Sequence, residues 1–444
     1  MENIIEKYNV NVPRYTSYPP ATQFIDIENL QNYFQCIKSI DKDKKVSLYV
    51  HIPFCHSLCY YCGCNTKIVN KLSPIESYVE TLLKEIENFQ KNTSFKYTVS
   101  QLHFGGGSPN YASCENLKEI ITALKSVFIF DTQTEIHMEC DPRLLNDNKI
   151  ASYIELGVSR FSLGIQDFDA TVQKAINRIQ PFGTIKSVID LFHQHNMSNI
   201  NFDLIIGLPN QTIDTVEKTI QQTLSLKPSR VAVFPYAHVP WMKKHQKILE
   251  EYPMPSAEDR FEMNEIARSM FLKAGYVQVG MDHFALSDDP LAIAQSESKL
   301  QRNFQGYTTD EGDCLIGFGL SSISQFQNAS FQNACFIKDY KGLVDDGKPT
   351  VVKEMICTEN DVRVRHAIQS LLCHFKLDKL SYTSFLKDGD KMKDLLKDKL
   401  VAFDVNGDFY ITNKGKPFAR VVAACFDHYY SNFNTGEQKH AKAV

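Results

Sequence analysis

The sequence predicts an α/β protein built on a parallel sheet, left open or closed into a barrel. Two observations carry that reading. Short apolar or β-branched runs at 46–50, 101–104, 135–139, 160–165, 199–205 and 230–234 alternate with helical patterns at 75–89, 115–127, 147–156, 181–195 and 216–226. The chemically unusual segments then fall where those runs end, which is where such folds place their working residues.

The elements justify themselves in order. Val46-Ser47-Leu48-Tyr49-Val50 reads as a first strand and is followed by a loop crowded with cysteine. Ser73-Pro74-Ile75-Glu76 reads as a helix start, with a capping serine, proline at the first helical position and glutamate three residues after the cap. Ile75, Tyr78, Val79, Leu82, Leu83, Ile86 and Phe89 then recur at helical spacing. The later strands end at Gly105-Gly106-Gly107-Ser108-Pro109, at Glu139, at Gln166 and at Asp203 to Pro209, so that together they form a mouth.

The last part of the chain differs. Two helical patterns precede Leu400 to Phe403, an Asn406-Gly407 turn and Phe409 to Ile411, which is a strong hairpin signal. A helix-plus-hairpin module invites a winged-helix, DNA-binding reading. Residues 351–444 hold 15 Lys and Arg against 12 Asp and Glu, too even a balance for a nucleic-acid footprint. The polar tail after Ser431 is expected to fray.

Composition narrows the class. Of 444 residues 43% are apolar and 23% charged, an ordinary globular make-up. Length alone suggests about three domains, or fewer if one barrel takes most of the chain. A net charge of −4 offers no basic field to a polyanion. No signal-peptide core and no apolar run of membrane-spanning length stands out, so the expectation is a cytoplasmic protein with no membrane and no nucleic acid among its partners.

Twelve cysteines are too sparse for a disulfide scaffold. Cys36, Cys114, Cys140, Cys314, Cys335, Cys357, Cys373 and Cys425 stand singly and read as small buried hydrophobes. Cys55, Cys59, Cys62 and Cys64 crowd into one loop. A structural zinc site usually draws four ligands from separated pairs. Three thiolates at C-x3-C-x2-C spacing suit instead an iron–sulfur cubane with one iron left open.

A C-x3-C-x2-C loop after a first strand resembles the radical S-adenosylmethionine (SAM) superfamily. Within it, Pro13-Arg14-Tyr15-Thr16-Ser17-Tyr18-Pro19, His51 to Asn65, Gly164 to Phe168, Tyr236-Ala237-His238, Gly280 to Ala285, Arg302 to Thr309 and Arg365 to Asp378 resemble the oxygen-independent coproporphyrinogen III oxidases, over almost the whole chain. Departures are few: Ser108 replaces a threonine, Cys140 an isoleucine, Pro235 an asparagine and Trp241 a smaller residue.

The resemblance implies a partial (β/α)6 barrel. An arm (1–28) would lie over the active site, a barrel with a substrate-binding extension would span 29–350, and a helical, winged-helix-like domain 351–444. Cys55, Cys59 and Cys62 would hold a [4Fe–4S] cluster, and Cys64 would be an active-site cysteine outside the ligand set. Two SAM molecules would lie side by side, lined by Tyr49, Tyr61, Gly106, Gly107, Ser108, Glu139, Gln166, Arg178, Asp203, Ala237 and Ile323. These residue types suit such a ligand. Bare glycine backbone admits it closely, acids and amides accept from ribose or ammonium, and arginine grips carboxylates. Each also has a plainer reading as a capping or ion-paired residue of a barrel mouth. His51 and His283 read equally as core or as site residues.

The implied reaction turns two propionates of coproporphyrinogen III into vinyl groups, giving protoporphyrinogen IX, by way of a 5′-deoxyadenosyl radical. It needs an electron donor and an acceptor that the sequence does not name, and a monomer is expected. Arg14, Arg143, Arg302 and Lys67 are candidate partners for the substrate's carboxylates. The rivals are a radical SAM paralogue that degrades haem anaerobically and a haem-binding chaperone. The Cys62-Gly63-Cys64-Asn65 ending, the Pro13 to Pro19 segment and Asn303 to Tyr307 favour the oxidase.

Overall fold

Seven of the eight residues in Lys45–Ile52 (β1) are buried, as expected of a strand covered on both faces. It leads a parallel series of Thr98–Gly106 (β2), Glu135–Cys140 (β3), Val158–Gln166 (β4), Ile200–Ile206 (β5) and Arg230–Pro235 (β6), which neighbour one another in chain order. The structure is a computed structural model and describes residues 2–93, 95–430 and 441–443. All the predicted strands form. β2 begins earlier than its apolar run because Thr98 and Val99 still pair with Lys45 and Val46.

Helices Ser73–Lys91 (α1), Cys114–Val127 (α2), Asp147–Glu155 (α3), Phe182–Gln194 (α4) and Ile213–Leu226 (α5) follow β1 to β5. Each turns an apolar stripe to the sheet, as in α1, where Ile75, Tyr78, Val79, Leu82, Ile86 and Phe89 are buried. The start of α1 differs by one residue from expectation: Leu72 occupies the cap position, no side chain caps the helix, and Pro74 sits in its first turn. Thr212 does close a capping box on α5.

The series does not close into a ring. Beyond β6 the sheet continues antiparallel through His283–Ala285 and Val277–Val279. On the other side Cys314–Phe318 runs parallel to β1 and is followed by four antiparallel strands, ending at Ile25–Asp26. These short strands went unpredicted because most are two to five residues long and lack a clear alternation.

The predicted hairpin forms: Val401–Phe403 pairs with Phe409–Ile411 across a turn in which Gly407 takes φ +84°. Its core includes Ile5, Tyr8, Val12, Tyr15 and Tyr18, so the N-terminal segment packs into the C-terminal region. Main-chain bonds tie residues 10–12 to 441–443; the rest of the tail expected to fray lies outside the described residues. All twelve cysteines are free, and six of the eight scattered ones are buried. Among the described residues no helix is long and apolar enough to cross a membrane.

Where α1 meets the sheet extension, buried Glu85 accepts from the Gly319 amide (2.7 Å), Asn333 Nδ2 (2.9 Å), the Tyr340 hydroxyl (2.7 Å) and the Thr350 hydroxyl (2.5 Å). Glu85→Ala strands these donors without water and should lower unfolding stability by about 3 kcal/mol in urea titration. An unchanged midpoint would show that the network holds nothing together.

Candidate active site

Parallel strands deliver their C-terminal ends to one edge, and the cysteine loop leaves β1 at that edge. Phe54–Cys55 pairs with Lys67–Ile68 and closes the base of the loop. Its backbone is then held from two sides. The Tyr60 amide donates to Ile176 O (3.0 Å) and Asn177 Nδ2 to Leu58 O (2.8 Å). From a stretch after β6, Lys243 Nζ donates to Cys64 O (2.8 Å), His245 Nε2–H to Cys62 O (2.9 Å) and Gln246 Nε2 to Tyr61 O (2.9 Å). With the carbonyls so occupied, Cys55, Cys59, Cys62 and Cys64 line a cavity of about 370 Å³.

The thiols are not equivalent. Burial pushes Cys55 up to about 11, although the Ser108 hydroxyl, 3.6 Å from its sulfur, opposes this. A hydrogen bond from Cys64 draws Cys62 down to about 6, against its burial, and the same bond raises Cys64. Arg178 Nη1 lies 3.5 Å from Cys59 Sγ.

The end of β2 is bare backbone by necessity. Gly106 has φ +116°, and a Cβ there would meet the His51 ring at 2.7 Å. A Cβ on Gly107 would lie 2.7 Å from the Phe54 carbonyl. The Gly106 amide donates to Glu139 Oε2 (3.2 Å), and His103 Nε2 lies 3.1 Å from Oε1. Burial opposes the charge on Glu139, but these two donors hold its pKa below the ordinary carboxylate value. His51 is a positioning residue. Its Nε2 must donate to Asn65 O (3.1 Å), since a carbonyl only accepts, so Nδ1 accepts from the Tyr49 hydroxyl (3.0 Å). Burial lowers its pKa and keeps this neutral tautomer.

The facing wall comes from β4 and β5. Gln166 ends β4 with φ +68°, at a register shift between Gly164 and Gln166 that re-aims the chain. Arg178 Nη2 donates to Gly164 O (2.8 Å) and Nη1 faces Asp141 at 3.5 Å, while its Nε is buried with no partner. Asp203 accepts from Ser162 (2.8 Å) and Asn201 (2.8 Å), and burial raises its pKa.

Of the expected site residues, Tyr61, Gly106, Gly107, Ser108, Glu139, Gln166, Arg178 and Asp203 line the cavity with the four cysteines. Tyr49, Ala237 and Ile323 do not stand in its wall. Tyr49 lies behind it, stacked on His103. Ala237 connects to the cysteine loop through Gln246, which also donates to Ala237 O (3.3 Å). Ile323 starts an antiparallel strand beside Cys314–Phe318. Arg143 reaches the cavity but grips Asp141 through Nε (2.9 Å) and Nη2 (2.6 Å), which leaves it a structural partner. Lys67 lines neither this cavity nor its neighbour.

The donor set fits an iron–sulfur cluster with an organic ligand beside it. Four thiols of one loop line the cavity, three of them at the C-x3-C-x2-C spacing. The orphaned Arg178 Nε is an unspent donor beside this wall, suited to a carboxylate.

Sequence reasoning missed Gln246, a fully buried residue in a polar stretch. Gln246→Leu removes bonds to Tyr61 O and Ala237 O and should cost about 1–3 kcal/mol. It should also speed hydrogen exchange at the amides of residues 58–64. Exchange equal to the parent's would show that the clasp does not order the loop.

Comparison with known proteins agrees with this geometry. Residues 49–223 match the radical SAM superfamily. The chain is 37% identical over 443 residues to anaerobic coproporphyrinogen III oxidase 1 of Cereibacter sphaeroides, covering 98% of this chain and 97% of that protein. It is 38% identical over 450 residues to the oxygen-independent coproporphyrinogen III oxidase of Pseudomonas aeruginosa, covering 97% and 96%. The solved radical SAM coproporphyrinogen III oxidase of Escherichia coli superposes with a TM-score of 0.89 at 34% identity, covering 95% of this chain and all of that one. With its thiol-lined cavity at the strand ends and a likeness spanning nearly its full length, the chain belongs to the oxygen-independent coproporphyrinogen III oxidase family of radical SAM enzymes.

Proposed function

We propose that the chain converts coproporphyrinogen III to protoporphyrinogen IX by oxidative decarboxylation of two propionates in oxygen-independent porphyrin and haem biosynthesis. One observation carries this reading: three loop thiols, bare glycine backbone and a wall of acid, amide and guanidinium groups open into a single cavity at the strand ends. Cys55, Cys59 and Cys62 would hold a [4Fe–4S] cluster, which when reduced and bound with SAM would supply radical chemistry able to take a hydrogen atom. Each propionate then loses that hydrogen, CO2 and one electron, and a one-electron acceptor outside the chain takes the electron.

The chain's own groups bind, orient and exclude water. Glu139, kept ionised by His103 and Gly106, suits a ribose hydroxyl or an ammonium group. Arg178, with its unspent Nε, suits a carboxylate. Asp203 and Gln166 form a second acceptor set, and two such sets support two SAM molecules. Cys64 lines the cavity without belonging to the C-x3-C-x2-C ligand set, which supports an active-site role outside that set. Tyr49, Ala237 and Ile323 act from behind or beside the wall. We assign the protein to the cytoplasm as a monomer; twelve free thiols fit a reducing compartment.

The similarity also includes Asn303 to Tyr307, which forms a hairpin at the mouth and sets Asn303, Gln305, Gly306 and Tyr307 in the cavity wall. This favours the oxidase over a haem chaperone, and the Cys62-Gly63-Cys64-Asn65 ending favours it over a haem-degrading enzyme.

Anaerobic reconstitution with iron and sulfide, followed by SAM, reductant, coproporphyrinogen III and cell extract as electron sink, should yield the divinyl product by mass. SAM cleavage without any vinyl product would overturn the assignment. Cys59→Ser should remove the broad absorption near ~400 nm expected of a cubane and abolish SAM cleavage. A variant that keeps both would place the cluster elsewhere.

A further inference from the structure

A second cavity, of about 290 Å³, adjoins the first and shares Phe234, His283, Gln305 and Gly306 with it. Four arginines line it, and with Arg268 taken by Glu265 three from distant parts of the chain remain: Arg14, Arg302 and Arg420. Their bonds run to main-chain carbonyls and not to acids. Arg14 Nη2 donates to Pro235 O (2.8 Å). Arg302 Nη1 donates to Arg14 O (2.8 Å) and Tyr15 O (3.1 Å), and its guanidinium sits 5.2 Å from the Tyr307 ring centre. Arg420 Nη2 donates to Lys442 O and Ala443 O, both at 2.8 Å.

Two donors remain unspent: Arg302 Nε and Arg420 Nη1 are buried with no partner, and Arg420 is 8% exposed. The nearby carboxylate, Asp282, is bonded to His283 Nδ1 at 2.7 Å. The other acid on this wall, Glu265, is paired with Arg268 at 2.7 Å. Burial, with Arg14 and Arg302 close by, draws Arg420 down to about 9. A buried positive charge such as that of Arg420 is costly unless an anion completes it.

We propose that Arg14, Arg302 and Arg420 form a cradle for the substrate carboxylates that are not reacting. This rests on the decarboxylase reading above. A macrocycle that presents one propionate to the thiol-lined cavity carries its other carboxylates around its rim, and the adjoining cavity meets that rim with planar, forked donors. The arm thus contributes a substrate contact through Arg14, and the C-terminal region contributes one through Arg420, which the sequence had not marked.

The test uses the reconstituted holoenzyme and two stable probes, coproporphyrin III and its tetramethyl ester, titrated by fluorescence. The parent should prefer the free acid, and Arg302→Gln and Arg420→Gln should each weaken acid binding by about 10- to 100-fold while leaving ester binding unchanged. Arg302→Lys and Arg420→Lys should recover part of the loss. The cradle is overturned if the glutamine variants keep the parent's affinity for the acid, or lose acid and ester equally. It is also overturned if the parent binds the ester as tightly as the acid, a result that needs no variant to fold. Vinyl formation measured alongside separates the two readings: acid-selective binding without product removes the reaction and keeps the cradle, whereas product with unchanged KM in the variants removes the cradle and keeps the reaction.

Discussion

The site depends on a constraint of main-chain hydrogen bonding. A loop carrying four cysteines in ten residues has little apolar surface with which to hold its shape, and its carbonyls compete for any donor nearby. Here Lys243, His245 and Gln246 on one side and Asn177 on the other occupy those carbonyls. Each bond contributes about 1 kcal/mol net, but a buried carbonyl left unmet costs more. The clasp therefore selects one loop conformation, and that conformation turns the thiols toward the cavity. Strand ends then supply the opposite wall, because parallel strands end at one edge.

Much of this was legible in the chain. The six parallel strands and five helices follow from hydrophobic periodicity, which tertiary packing reinforced. The antiparallel extensions did not, since a strand of three residues carries almost no pattern. Gln246 escaped because its partner in the cysteine loop, Tyr61 O, lies 185 residues away and is a carbonyl, which carries no residue identity. Arg143, a candidate for a substrate carboxylate, lines the cavity in a local turn, Asp141-Pro142-Arg143, in which the acid caps and the arginine answers it. Arg420 left a readable trace: a charged residue inside the apolar run Ala419–Ala424 is out of place unless something meets it.

Charge is sorted between the two chambers. The first sets Glu139 and Asp203 among the thiols, with Arg178 as counterweight, and suits a zwitterion. The second is cationic and suits a polyacid. A whole-chain charge of −4 averages over both and reveals neither. Phe234, His283, Gln305 and Gly306 line both chambers, which therefore lie side by side.

The meeting of residues 10–12 with 441–443 bears on how the enzyme is made. Arg14 follows that junction directly, and Arg420 is held by the carbonyls of Lys442 and Ala443. A ribosome releases these two stretches at opposite ends of translation. The cationic chamber therefore takes its shape only when both of these stretches are in place, since the carbonyls of Lys442 and Ala443 hold Arg420.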